Sequence, residues 1–528
     1  TWRSLALMSP VDAMTATLTG KTLIARKAKS QGLIDVVTEE RHFAEAVRWA
    51  VGGKLSPRKG PGLLAKAMSI GPARSFLAQR MEGETAKKAK RAHYPAPYAM
   101  IDLWRRFGDD PAAMRRAETD SFARLLLTDT SRNLVRCFFL RERLKGYAKG
   151  ARHGVRHVHV IGAGVMGGDI AAWSALRGFR VTLEDREIKY IAPAIGRARE
   201  LFRTKLYTDG DRRAAFDRLM PDPKGYGIRS ADLIIEAVPE NPEIKQAVFS
   251  RCEAAMKPTA ILASNTSSLL LQTLAEKLKR PERFCGIHFF NPVPQMPLVE
   301  LVTHPGLDGE IRARGLAFID ALDKLPLPVH SAPGFLVNRA LTPYMMEAFL
   351  LYSEGVEPEV IDAVAENFGM PMGPIELADR VGLDVGLHVA KVLKRDLSNR
   401  PLPDIPDWFE KLVADGKLGS KSGQGLYAWE NGKPKKKPAG ITSDPRMEDR
   451  LILPLLNAVA DCLHEGIVED ADAADAGMIF GTGFAPFRGG PIHYAKARGV
   501  AEVVAVLESL RAKHGERFAP SPGWAALR

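Results

Sequence analysis

The sequence predicts an α/β protein: one parallel sheet wrapped by helices, then two copies of an all-helical domain. Three observations carry this. Short β-branched runs alternate with longer amphipathic stretches from about residue 155 to 330, the pattern of strands joined by crossover helices. A glycine-spaced turn, Gly162-x-Gly164-x-x-Gly167, stands between the first strand and the first helix of that stretch. After "APGFLVNR" at 332–339 the strand signals fade, and a set of residues recurs at fixed spacing.

At 528 residues the chain is too long for one core, and length alone suggests about three to four domains. Hydrophobic residues make up 45% and charged residues 26%, a globular balance. No window reaches the roughly 18 uninterrupted apolar residues that a membrane-spanning helix needs. The first residue is Thr1, with no basic-then-apolar leader pattern, so the expectation is a piece of a longer protein. Cys137, Cys252, Cys285 and Cys462 lie far apart with no CxxC, so neither a zinc site nor a disulfide scaffold is indicated. The expected location is a reducing cytoplasm, in a bacterial cell.

Residues 1–55 mix a helical pattern with "GLIDVV" at 32–37, a strand-like run. Residues 60–150 read as helical and rich in Arg and Lys, broken by "HYPAP" at 93–97, where prolines exclude a continuous helix.

The first strand of the sheet is read at Val158–Ile161, and the glycine turn follows it. A bare GxGxxG is weak evidence, but between strand and helix each glycine has a task. The first makes the turn, the second lets a pyrophosphate approach the backbone, and the third allows close helix–strand packing. The helix N-terminus then offers free N–H groups to phosphates. The next strand, "FRVTLED", ends in Asp185, eighteen residues after Gly167. A carboxylate there holds both ribose hydroxyls of NAD and repels the 2′-phosphate of NADP. Arg186 beside it would soften that preference.

"ADLIIEAVPEN" at 231–241 is a further strand, and its end places Glu240 and Asn241 at the ligand crevice. Lys245 reads equally as a phosphate contact or a surface lysine. "ILASNTSSL" brings Ser264, Asn265, Ser267 and Ser268 to the same edge, where hydroxyls serve as helix caps, ligand contacts or both. In "CGIHFFNPVPQMPLVEL", residues 285–301, His288 ends a strand and Glu300 follows a Pro-rich turn able to fold it back. Oxidising an alcohol needs a base that titrates near neutrality, and a carboxylate would fix that imidazole's tautomer and stabilise the imidazolium. The pair reads as a His–acid dyad.

Beyond the sheet, Asn338-Arg339, Pro343 and Glu354-Gly355 recur 111 residues later as Asp449-Arg450, Pro454 and Glu465-Gly466. Both copies run through an apolar helix into a Gly/Pro-rich turn, "GMPMGP" at 369–374 and "GTGFAPFRGGP" at 481–491. Fixed spacing points to duplication of a helical domain. Between the copies, "KLGSKSGQGLYAW" at 417–429 reads as a Gly-rich loop closing the first.

The formal net charge is +13. Its basic runs, "KKAKR" at 87–91 and "KPKKK" at 433–437, lack the interleaved aromatics of a base-stacking surface. They read as solvated faces, and no nucleic-acid partner is expected. A phosphorylated substrate would also be drawn to such a field.

Taken as a set, "VIGAGVMGGDIA", "ASNTSSL", "GIHFFNPVPQMPLVEL" and "PGFLVNR" resemble the 3-hydroxyacyl-CoA dehydrogenases over about residues 155–430. The resemblance implies a Rossmann-type NAD-binding domain and an acyl-CoA thioester substrate. It implies His288 as base and Glu300 as its orienting partner. Ser267 and Asn338 would bind the substrate's hydroxyl and thioester region, and Asn291 would hold the nicotinamide or the substrate carbonyl. Met166, Asp185, Glu240 and Lys245 fall on cofactor positions of the family, with Gly162, Gly164, Gly167, Ser267 and Asn291.

"LTGKTLIARKAKSQGLIDVV" at 18–37 resembles the C-terminal end of an enoyl-CoA hydratase (crotonase) domain, and "HYPAP" the linker region after it. With the doubled C-terminal domain, the likeness extends to the multifunctional fatty-acid oxidation enzymes, whose partners would be a thiolase subunit or a second copy. "TWRSLALMSP" lacks the family's usual proline–arginine step. The hydratase glutamates are expected upstream of residue 1, leaving the dehydrogenase step to this chain. The expected division is a crotonase remnant at 1–55, a helical linker at 56–153, an NAD-binding domain at 154–331, and C-terminal copies at 332–435 and 436–528. Three rival readings stand beside it. One is a short-chain 3-hydroxybutyryl-CoA or other β-hydroxyacid dehydrogenase, the latter class usually relying on a catalytic lysine. The others are a non-enzymatic NAD-binding relative and a nucleic-acid binder resting on charge alone.

Overall fold

The computed structural model describes residues 2–55, 67–68, 70–397, 401–439 and 444–527. Residue 56, where the helical linker is expected to start, lies outside them. The chain forms two compact units, Thr1–Leu134 and Val135–Arg528.

The first unit is helical. Its small core joins Met14, Ala78, Ile101, Trp104 and Met114 from four helices, Pro10–Thr19, Gly71–Ala86, Pro95–Phe107 and Pro111–Leu126. The prolines of "HYPAP" start a helix, with Pro95 at its first position, where the missing N–H costs nothing. The run 32–37 forms no strand. Leu33 gives its N–H to the carbonyl of Ala28 in the preceding helix, and Leu33, Ile34, Val36 and Val37 stay exposed. Ile34, Val36 and Val37 line a groove of about 390 Å3, together with Phe43, Val47 and Ala50 of the helix Phe43–Val51. That helix buries none of its residues.

The second unit is built on an eight-stranded sheet. Its strands are β1 (His157–Ile161), β2 (Arg180–Glu184), β3 (Leu219–Pro221), β4 (Leu233–Glu236), β5 (Ile261–Ser264), β6 (Phe284–Phe289), β7 (Leu298–Thr303) and β8 (Leu325–His330). They lie in the order β3-β2-β1-β4-β5-β6-β7-β8. The first six are parallel, whereas β7 pairs antiparallel with β6, and β8 runs parallel to β7. The sheet is therefore mixed, because the Pro-rich turn after β6 is too short for a crossover and forces a reversal. The order reverses direction at β1 and β4, the switch point where such sheets bind dinucleotides. β1, β4, β5, β6 and β7 are buried along their whole length, as a sheet covered on both faces requires.

Helical layers follow. The helices Val337–Ser353 and Pro445–His464 start the two repeats and pack against each other. They exchange ion pairs reciprocally. Arg339 binds Glu465, while Arg450 binds Glu354 at 2.6 Å and the buried Glu347 at 3.0 Å. Each repeat also buries an aspartate that caps its next helix. Asp362 accepts from the N–H groups of Ile375 and Glu376, and Asp475 from those of Ile492 and His493. Asp475 is further paired with Arg136 at 2.7 Å. The second repeat reaches the sheet directly. A Cβ at Gly481 would stand 2.8 Å from Leu298 of β7 and 2.9 Å from Val337, so its helix supports the hairpin that carries the site.

Candidate active site

The glycine loop is shaped by contacts that no larger residue permits. Gly162 has φ +99°, and a Cβ there would lie 2.5 Å from the carbonyl oxygen of Ala237. A Cβ at Gly167 would stand 1.8 Å from the carbonyl oxygen of Gly162. Gly164 differs, since nothing lies within 4 Å of its Cβ position. It is exposed and is the N-cap of the helix Val165–Leu176. Met166 follows, partly buried. An open cradle over a helix N-terminus fits a pyrophosphate, and the residues present therefore fit a dinucleotide. Asp185, just past β2, accepts from the N–H of Ala163 at 2.8 Å and of Arg186 at 2.7 Å.

Lys245 is not a surface lysine. It is 1% exposed, and its Nζ meets Glu236 at 2.7 Å and Glu240 at 3.0 Å. Burial disfavours the ammonium, but the two carboxylates outweigh it and hold its pKa above the ordinary lysine value. Burial likewise acts against the Glu240 carboxylate, and Lys245 with the Thr266 hydroxyl reverses this, leaving its pKa lowered. Glu240 in turn organises the serine-rich turn after β5. It accepts from the Thr266 hydroxyl at 2.5 Å, the Ser267 N–H at 2.9 Å, and the Ser267 and Ser268 hydroxyls at 3.4 Å. Asn338 joins here, its Nδ2 donating to the carbonyl of Ser267 at 3.1 Å. Asn265 ties the turn to β6 by accepting from the Phe289 N–H at 2.9 Å.

His288 and Glu300 are register partners across β6 and β7. His288 is 4% exposed and Glu300 fully buried. Nδ1 lies 2.8 Å from Glu300 Oε2. The carboxylate accepts from Nδ1–H, which leaves Nε2 as the lone-pair atom. The other oxygen, Oε1, accepts from the N–H groups of Leu336 and Val337 at 3.2 and 3.1 Å. Gly334 and Phe335 turn the chain toward that contact, both with positive φ (+72° and +52°). For a bulky residue such as Phe335 this is a strained conformation. The rings of Phe290 and Phe335 flank the imidazole, with centroids 4.5 and 5.6 Å away. Asn291 is exposed, two residues past the end of β6.

The sequence reading missed Glu236, Thr266, the two aromatic walls and the helix N-terminus at Leu336–Val337. Glu236 ends its strand inside "ADLIIEAVPEN", and an acidic residue in so apolar a run was the available signal.

A nucleotide cradle at the switch point of this sheet, beside a buried His–Glu pair, defines an NAD-binding oxidoreductase. The 3-hydroxyacyl-CoA dehydrogenase NAD binding domain matches residues 157–332, and the 3-hydroxyacyl-CoA dehydrogenase C-terminal domain matches residues 334–429. The fatty acid oxidation complex subunit alpha of Acinetobacter baylyi is 34% identical over 513 residues, spanning 91% of this chain and 71% of that protein. The crystal structure of 3-hydroxybutyryl-CoA dehydrogenase from Escherichia coli K12 superposes with a TM-score of 0.62 at 26% identity, covering 71% of this chain and 98% of that one. The dehydrogenase part of multifunctional enzyme 1 from C. elegans shares the fold, with a TM-score of 0.52 at 24% identity, over 76% of this chain and 99% of that one. The chain belongs to the 3-hydroxyacyl-CoA dehydrogenase family. Among the described residues, no helix is long and apolar enough to cross a membrane.

Proposed function

We propose that this chain oxidises the 3-hydroxyl of an (S)-3-hydroxyacyl-CoA to the 3-keto group, as a step of fatty-acid β-oxidation. The observation that carries the reading is the buried His288–Glu300 pair with Nε2 left as acceptor. NAD, when bound, supplies the acceptor for the hydride that leaves C3. Gly162, Gly164, Met166, Gly167 and Asp185 hold it. Glu240 and Lys245 act one step removed, by fixing the turn that carries Ser267. His288 Nε2 takes the hydroxyl proton, and Glu300 offsets the positive charge that forms on the ring. Ser267 and Asn338 orient the hydroxyl and thioester, their mutual bond at 3.1 Å keeping them together. Asn291 contacts the nicotinamide or the substrate carbonyl.

The intact protein is proposed to hydrate enoyl-CoA as well, through an upstream crotonase half. Support comes from the sequence likeness at 18–37 and from the bare apolar groove beside it. A thiolase subunit or a second copy is the proposed partner, and the cytoplasm the proposed location. The test follows NADH absorbance with acetoacetyl-CoA as oxidant. NADH consumption is expected, and its absence at saturating substrate would overturn the dehydrogenase reading. This chain alone should not hydrate crotonyl-CoA.

A further inference from the structure

Lys324 stands in the tight turn between the helix Gly309–Ala321 and β8, and it is 3% exposed. Its Nζ donates to the carbonyls of Val293 at 2.5 Å and Met296 at 2.7 Å. Both belong to the turn that joins the His288 strand to the Glu300 strand and carries Asn291. The same Nζ lies 4.4 Å from the ring centroid of Trp173. Trp173 belongs to the helix that starts at the glycine loop, and its Nε1 donates to the Leu322 carbonyl at 2.8 Å. One ammonium thus touches the cofactor helix and the catalytic hairpin.

Among the described residues, no carboxylate forms an ion pair with Lys324. A buried ammonium lacking a counter-ion is costly, and an apolar side chain would fill the same space without that cost. What the ammonium alone supplies is the pair of bonds to the hairpin's carbonyls. We propose that Lys324 is a positioning residue, whose charge pins the 290–297 turn to the glycine-loop helix and keeps His288, Glu300 and Asn291 in place beside the cofactor. This rests on the dehydrogenase reading above.

The clamp has a pH limit. Burial lowers the Lys324 pKa to about 8, with Lys205 and Arg177 adding to the effect and Asp323 opposing it. The turn itself, "FNPVPQMP", carries no titratable side chain. The clamp is intact below about pH 8 and loosens above it.

The test compares wild type, Lys324→Met and Lys324→Arg in NAD-dependent oxidation of 3-hydroxybutyryl-CoA across neutral and alkaline pH. NADH affinity is measured separately by fluorescence. Wild-type kcat should fall above about pH 8. Lys324→Met should lose about tenfold or more in kcat, with NADH Kd changed less than about threefold, and show no alkaline fall. Lys324→Arg should keep most of the rate and move the fall to higher pH. Hydrogen exchange at neutral pH adds a readout independent of turnover. The amides of Gln295 and Met296, which bond to the Pro292 carbonyl, should lose protection in Lys324→Met. Wild-type kcat in the methionine variant, or unchanged protection of those amides, would overturn the clamp. If Lys324→Met does not fold, an alkaline fall in Lys324→Arg identical to wild type overturns it. If wild type turns over no substrate, the dehydrogenase reading fails, and hydrogen exchange alone decides the clamp.

Discussion

Glu300 holds His288 with one carboxylate oxygen and the N-terminus of the helix Val337–Ser353 with the other. His288, the proposed base, is thereby fixed to the first helical repeat as well as to the sheet. His288→Gln should lower kcat about 10^2- to 10^4-fold, the range expected for loss of a general base, with NADH affinity unchanged. Glu300→Gln keeps an acceptor but loses the charge, and should cost about 10- to 100-fold. Steady-state kinetics with NADH fluorescence titration checks both. A His288→Gln enzyme retaining a tenth of the wild-type rate would remove His288 from the mechanism.

Asp185 is the residue we propose for cofactor choice. Asp185→Ser should weaken NADH binding and narrow the gap to NADPH, because the charge repelling a 2′-phosphate is gone. It also removes the acceptor for the Ala163 N–H, so part of the loss would come from a looser glycine loop. Competition between the two nucleotides measures the ratio. Wild type preferring NADPH would refute this role.

The glycines separate fold from ligand. Gly167→Ala forces a Cβ into the Gly162 carbonyl and should destabilise the unit by roughly 1–3 kcal/mol. Gly164→Ala meets open space, so its Tm should match wild type while NADH Kd rises about tenfold, near 1.4 kcal/mol. Thermal melts with and without NADH distinguish the two. Equal Tm losses in both variants would contradict the assignment.

Lys245→Met strands the buried Glu236 and the partly buried Glu240 and should cost about 3–5 kcal/mol. The raised pKa of Lys245 means that its contribution is present below the unfolded lysine value and lost as pH rises through the folded one. The lowered pKa of Glu240 means the converse in acid: present above the unfolded carboxyl value, lost as pH falls through the folded one. The stability gap between wild type and variant should therefore be widest near neutrality and narrow at both extremes. Denaturant unfolding across pH measures it. A variant as stable as wild type but weak in NADH binding would make Lys245 a direct phosphate contact instead.

Much of this site was legible in the chain. The glycine loop and the facing of His288 by Glu300 declare themselves because their causes are local. A tight turn needs glycine where φ is positive, a strand end faces the crevice, and a polar residue in an apolar run needs a reason. The strand-like 32–37 misled for the same local cause: β-propensity without a partner does not make a ladder. Lys245 and Lys324 were opaque, since a lysine's burial depends on what closes over it. Lys245 is enclosed by Glu236 and Glu240, near it in sequence but brought to one point by a strand and the loop beyond it. Lys324 is enclosed by Trp173 and by carbonyls about thirty residues upstream.

The sequence by itself determined the element order, the cofactor loop and the chemical types at the site, because short-range sterics and hydrogen-bonding capacity write those directly. The short Pro-rich turn after β6 already implied that Glu300 returns to His288, whereas tertiary structure decided the bonds that Leu336 and Val337 give to the other carboxylate oxygen of Glu300. It also decided the reciprocal pairs of Arg339 with Glu465 and Arg450 with Glu354, and the carbonyls that Lys324 grips. Each of these is a pairing between segments whose separation along the chain carries no information about their distance in space. Only the packing of the sheet against its helices brings them within reach.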